Sequence, residues 1–119
     1  MTQQKPVLPE LACTTDAIPQ EQRAEHQETT KRIFKAVLEV QELPTGYALR
    51  LPNENKILYD IIAFISNERL CCPFFHFALE VEAEQGPVWL RLTGTTDVKA
   101  IIQSQEFILA TGFHTQPQL

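Results

Sequence analysis

The sequence predicts an α+β fold of two layers, in which a mostly antiparallel sheet carries helices packed on one face. The first observation is a run of apolar residues at helical spacing within residues 54–70, namely Ile57, Leu58, Ile61, Ile62, Phe64 and Ile65. The second is that two predicted hairpins each consist of two short segments in which apolar and polar residues alternate. Residues typical of turns separate the two segments of each hairpin. Hairpins produce antiparallel pairing, so the sheet is expected to be antiparallel with helices against it.

The chain begins with a predicted edge strand and a polar helix. Residues 7–14 have the apolar character of a short strand, which Pro9 confines to the edge of a sheet because proline lacks a backbone donor. A helix is predicted from Pro19 to about Lys35, with proline in the first turn. Ala24 is the only apolar residue between positions 20 and 32, so this helix should lie largely at the surface, anchored near Ile33, Phe34 and Val37.

The first predicted hairpin and the central helix follow. Segments 36–43 and 47–51 alternate in polarity around Pro44-Thr45-Gly46, a turn-forming sequence. The helix over residues 54–70 comes next, and Pro73 ends it because proline disfavours helical geometry in the residue before it. Its apolar face makes it the best-defined element of the chain.

The second predicted hairpin pairs residues 75–83 with the strand that begins at Val88, around a turn at Gln85-Gly86. A register in which paired residue numbers sum to 171 sets apolar residues opposite one another and brings Glu80 opposite Arg91. That register also sets two apolar pairs, Val81 with Leu90 and Leu79 with Leu92.

A last helix is predicted from Thr96 or Asp97 until Gly112 terminates it. The element order is therefore strand, helix, hairpin, helix, hairpin, helix. One core is expected, made of Leu58, Ile61, Ile62, Ile65, Phe77, Leu79, Val81, Leu90 and Leu92. If Ile62 is buried, its truncation to alanine should lower the stability of the protein by about 2–5 kcal/mol.

Length and charge restrict the classes of protein. The 119 residues suit one domain over 1–119, with loose ends at about 1–6 and 113–119. The net charge of -5 disfavours binding to nucleic acid or anionic lipid. The longest apolar run, residues 61–65, is too short to span a membrane, and the N-terminus has no signal-peptide pattern. A cytoplasmic protein is the expectation.

The concentrated chemistry lies in residues 68–77, with the sequence ERLCCPFFHF. Three cysteines cannot all pair within one chain, and a reducing compartment would keep them as thiols. Cys71 and Cys72 are not expected to bond to each other, because the small ring would distort the peptide between them. Two thiolates on adjacent residues suit one soft metal or metalloid ion of unspecified identity. Cys13 or His76 would be a third ligand, and Glu68 a supporting group.

Three other interpretations remain open. In the first interpretation the cysteines are packing residues, since unactivated cysteine behaves as a small buried hydrophobe. A cysteine-dependent enzyme is the second; it needs a base, for which His26, His76 and Glu68 are the candidates. Common redox, hydrolase and nucleotide motifs are absent, so the interpretation leans against catalysis and names no small-molecule ligand.

A binding module is the third alternative. Trp89, Arg91 and His76 share one face of the predicted sheet, opposite the face assigned to the helices. An open face with an aromatic and an arginine would suit a homodimer.

The residues Glu68-Arg69-x-Cys71-Cys72-Pro73-Phe74 and the strand sequence WLRLTG at 89–94 resemble an uncharacterised family of small bacterial proteins. The resemblance extends from residues 11–14 through residues 46–48 to the last helix. It implies a bacterial, cytoplasmic protein and draws interest to the three cysteines. The family has no established activity, so the resemblance implies no mechanism.

Overall fold

The computed structural model describes residues 15–95, 97, 99, 100 and 102, and it has the predicted α+β fold. After a 3-10 turn, its elements are α1 (Gln20–Ala36), β1 (Glu39–Leu43), β2 (Gly46–Leu51), α2 (Asn55–Cys71), β3 (His76–Val81) and β4 (Val88–Thr93). The predicted strand over residues 7–14 lies outside the described residues. Of the predicted last helix, residues 97, 99, 100 and 102 are described and helical. No helix within the described residues is long and apolar enough to cross a membrane.

The four described strands form one antiparallel sheet in the order β1-β2-β4-β3. The first hairpin turns through Pro44 and Thr45, with Leu43 opposite Gly46, as the turn sequence predicts. Gly46 is required there, because a Cβ atom at this position would overlap the carbonyl oxygen of Leu92 on the neighbouring strand. This glycine allows β2 and β4 to pair closely at the centre of the sheet.

The second hairpin corrects the predicted register by two residues. Glu80 lies opposite Trp89 and Val81 opposite Val88, so paired numbers sum to 169 rather than 171. The turn is centred on Glu84 and Gln85, whose φ angles are 60° and 59°, and not on Gln85-Gly86. A shift of two residues keeps every side chain on its predicted face.

The predicted charge pair survives this shift of register. Arg91 Nη2 lies 3.0 Å from Glu80 Oε1, although the two residues are diagonal neighbours rather than directly opposed. A diagonal pair across neighbouring strands remains within reach of long side chains. The prediction that these two residues share a face is therefore confirmed, and only their direct opposition is wrong.

The core lies between the helices and the sheet, and it differs from the predicted set at two positions. Ile61, Leu90 and Leu92 are buried, and four others of the predicted set are partly buried against the core: Leu58, Ile65, Phe77 and Leu79. The prediction of burial is wrong for Ile62 and Val81, because their side chains are 53% and 50% exposed. The buried residues of α2 are Ile61, Phe64, Glu68 and Cys71, a narrower stripe that points Ile62 outward. Val81 ends β3, which lies at the edge of the sheet formed by the described strands.

Polar residues extend the buried stripe of α1. Ile33 and Phe34 anchor the helix as predicted, and His26 and Thr29 continue the same stripe toward its N-terminus. The sequence-based expectation of an anchor limited to the apolar end therefore missed the inward-facing histidine. This placement of His26 brings an imidazole against α2, where the cysteines are found.

Candidate metal centre

The candidate site is built on the last turn of α2. Cys71 is the final helical residue, and the N–H of Cys72 donates to the carbonyl oxygen of Glu68 over 2.7 Å. Pro73 then prevents a further helical turn. The spacing of a helix sets residues three and four apart on one face, so Glu68 lies beside both cysteines. All three residues are buried.

Three donor atoms converge at this turn. Cys71 Sγ and Cys72 Sγ are 3.5 Å apart, and Glu68 Oε2 lies 3.5 Å from Cys72 Sγ. The two sulfurs and one carboxylate oxygen all lie within 4.8 Å of one another. This is a compact S,S,O donor set of the kind that binds a single ion.

The two cysteines differ in oxidation state. Cys71 carries a thiol, whereas Cys72 is disulfide-bonded in this structure. The expectation that adjacent cysteines do not bond to each other is confirmed, and the expectation of thiols throughout is wrong for Cys72. Cys72 must therefore be reduced before its sulfur can serve as a thiolate ligand.

His26 reaches the site from α1. Its Nε2 lies 2.8 Å from Glu68 Oε1, and the side chains of the two residues are 9% and 8% exposed. An ionised carboxylate only accepts hydrogen bonds, so an N–H at Nε2 would donate to Glu68. Nδ1 is also buried, and the described part of the chain provides no hydrogen-bond partner for it. The imidazole is thus held by one polar contact, to Glu68.

Aromatic rings surround this polar cluster. The His26 ring stacks on Phe64 with centroids 5.7 Å apart and an interplanar angle of 18°. Phe64 makes an edge contact with Phe77 of β3, and Phe77 makes another with Phe75. These rings fix the imidazole and exclude solvent, so electrostatic interactions inside the cluster are stronger than they would be at the surface.

Glu68 has no cationic partner from lysine or arginine among the described residues; its contacts are with His26 and Cys72. It also lies in the last turn of α2, where the helix dipole is negative and disfavours further negative charge. A buried carboxylate in such a place is costly unless a positive group compensates it. A bound cation is one such group.

The structure locates one of the two further predicted ligands, and that residue lies outside the cluster. His76 is exposed at the start of β3, and Cys13 lies outside the described residues, so their role as ligands stays a prediction. The sequence predicts for His26 only the role of a candidate base in an enzyme, without a position in the fold. A signal for its placement does exist in the sequence, because helical steps back from the apolar Ile33 reach Thr29 and then His26.

The surface assumed for a binding module is not open in the structure. Trp89 is 9% exposed, although it lies on the sheet face away from Leu90 and Leu92. Arg91 is paired with Glu80. The aromatic residue that the homodimer hypothesis relies on is therefore buried within one chain, and the homodimer stays a prediction.

Comparison of the chain with protein-family models, with curated proteins and with solved structures finds no match. The resemblance to a bacterial family therefore depends on its motifs alone. The functional interpretation depends on the geometry at the end of α2.

Proposed function

We propose that this protein, with Cys72 reduced, binds one soft or borderline metal or metalloid ion through Cys71, Cys72 and Glu68. The observation that carries the proposal is the convergence of two sulfurs and a carboxylate oxygen within 4.8 Å in a buried site. Thiolate ligands select soft and borderline ions over Mg²⁺ or Ca²⁺. A carboxylate adds a third ligand without requiring a movement of the backbone.

The separation of the sulfurs favours a bent arrangement around the ion. Two thiolates at about 2.3 Å from a tetrahedral zinc stand about 3.8 Å apart, whereas a linear ion with the same bond length would hold them about 4.6 Å apart. In the form with Cys72 disulfide-bonded the two sulfurs are 3.5 Å apart, which is close to the bent case. Zn(II) and trivalent arsenic, which bind thiolates at bent angles, therefore fit better than ions that prefer two ligands in a line.

Charge supports a cation at the same place. Two thiolates and an ionised Glu68 would carry three negative charges in a buried site at the negative end of a helix. Such a set is tolerable only when an ion or protons neutralise it. A divalent or trivalent ion removes most of this charge.

The test is a titration of anaerobically reduced protein with Zn(II) against a chromophoric chelator, and with phenylarsine oxide monitored by the loss of titratable thiol. One equivalent of each is expected to bind. Cys71→Ser and Cys72→Ser should each abolish binding of both, because only one thiolate of the adjacent pair remains. Glu82→Gln is the control; it changes an exposed carboxylate outside the cluster and should leave binding of both unchanged.

If Cys71 and Cys72 are only packing residues, the titrations should give the opposite result. The reduced native protein would then bind neither reagent, alkylation of Cys71 and Cys72 would require unfolding, and serine substitutions would reduce stability by burying an unsatisfied hydroxyl. That outcome would end the proposal of an ion site.

A further inference from the structure

We infer that His26 is a positioning residue that holds Glu68 as an ion ligand and so determines which ions the site binds. The inference rests on the proposed function. Its basis is the division of the Glu68 carboxylate between two partners: Oε1 is held by His26 Nε2 at 2.8 Å, and Oε2 faces Cys72 Sγ at 3.5 Å. One oxygen is anchored, which directs the other toward the sulfurs.

The anchor is rigid. The His26 ring is stacked on Phe64, which lies one helical turn before Glu68 on α2. The same segment of α2 therefore positions both the imidazole and the carboxylate. Thr30 Oγ1 also donates to the carbonyl oxygen of His26 over 2.8 Å. Without the imidazole, rotation of the Glu68 side chain would no longer be opposed by a hydrogen bond. Partners of this kind typically change metal affinity by about 10–100-fold.

The two test reagents need the carboxylate to different degrees. Zn(II) usually takes four ligands, so a third protein ligand beyond the two thiolates strengthens its binding. Phenylarsine oxide reacts with two thiols, forming two As–S bonds and releasing its oxygen as water with the two thiol protons. Arsenic then has one carbon and two sulfur ligands, and no carboxylate is required. Loss of the anchor should therefore weaken zinc binding selectively.

The experiment compares His26→Phe with the natural protein for both reagents. Phenylalanine keeps a ring that can stack on Phe64 and removes both nitrogens. We expect Zn(II) affinity to fall about 10–100-fold, while phenylarsine oxide binding is unchanged. His26→Gln, which retains an N–H donor at a similar reach, should recover much of the zinc affinity. Glu68→Gln should reproduce the His26→Phe loss, and the two changes combined should not add, because they disrupt one contact.

Folding is monitored separately, because an unfolded chain with adjacent cysteines would also capture the arsenical. The fluorescence of buried Trp89 reports the native sheet in each variant. If His26→Phe is folded and binds zinc as tightly as the natural protein, the inference is wrong. Equal losses for both reagents would also overturn it, since that result indicates general damage. If the natural protein binds neither reagent, the proposed function itself fails, which is a distinguishable outcome.

Discussion

His26 Nε2 and Glu68 Oε1 are 2.8 Å apart in the interior of the protein, and they join α1 to α2 across 42 positions of sequence. Each side chain is less than one tenth exposed. Burial of such a pair removes hydration from both groups, and the mutual attraction often does no more than offset that cost. The imidazole also leaves Nδ1 without a partner in the described part of the chain. The pair is therefore a poor source of stability, which is consistent with a role in function.

Replacement of the pair by apolar residues should separate stability from ion binding. The variant His26→Phe/Glu68→Met is expected to keep or raise the free energy of unfolding, by up to about 4 kcal/mol, because no buried charge remains. The single change His26→Phe should lower it by about 1.5–3 kcal/mol, because the buried Glu68 carboxyl loses its imidazole hydrogen-bond partner. Urea denaturation measures both, and zinc affinity should fall in both.

Arg32 and Asp60 supply a control for that measurement. They join the same two helices through two hydrogen bonds of 3.1 Å, which the Arg32 guanidinium donates to the Asp60 carboxylate and which are the main cause that raises the pKa of Arg32. The Arg32 side chain is 46% exposed, so Arg32→Gln/Asp60→Asn should cost no more than about 1 kcal/mol. A double apolar variant at His26 and Glu68 that loses several kcal/mol would show that the buried pair is needed for stability.

Ion binding should depend on the redox state of Cys72. A disulfide sulfur cannot act as a thiolate, so protein oxidised at Cys72 should not bind zinc until it is reduced. Anaerobic zinc titration before and after treatment with a phosphine reductant measures the difference. Cys72→Ser, which cannot form the bridge, should bind no zinc with or without reductant. Equal binding by oxidised and reduced natural protein would count against the site.

Two adjacent isoleucines provide a matched test of the core. Ile61 is fully buried and Ile62 is 53% exposed, so the same substitution should have different costs at neighbouring positions. Ile61→Ala should lower the free energy of unfolding by about 2–5 kcal/mol, through lost burial and a residual cavity. Ile62→Ala should lower it by less than about 1 kcal/mol. Chemical denaturation measures both, and equal losses would indicate that α2 is rotated relative to the structure.

The β3–β4 turn should tolerate a stabilising change. Glu84 and Gln85 both have positive φ angles, a conformation that costs non-glycine residues about 1–2 kcal/mol each. Asn-Gly is the preferred pair for a two-residue turn with positive φ at both positions. Glu84→Asn/Gln85→Gly should therefore raise the melting temperature. The exposed neighbour Glu82→Gln should have little effect, and a lower melting temperature for the turn variant would contradict this geometry.

Local features of this protein were determined by the sequence. The helix that became α2 was predictable because its apolar residues repeat every three to four positions and Pro73 blocks a further turn. The first hairpin was predictable because proline and glycine favour a tight turn at that point. Likewise, the faces of β3 and β4 followed from alternation, which a two-residue error of register does not alter.

The tertiary structure alone decided the remaining features. The register of β3 and β4 depended on a turn at Glu84-Gln85 that neither residue type favours. Ile62 was turned outward because α2 packs through a stripe that includes Glu68, a residue whose charge predicts exposure. The pairing of His26 with Glu68 depended on how α1 packs on α2. Sequence periodicity reports which face of an element is apolar, but not which residues of two distant elements meet, because that is set by the packing of the whole core.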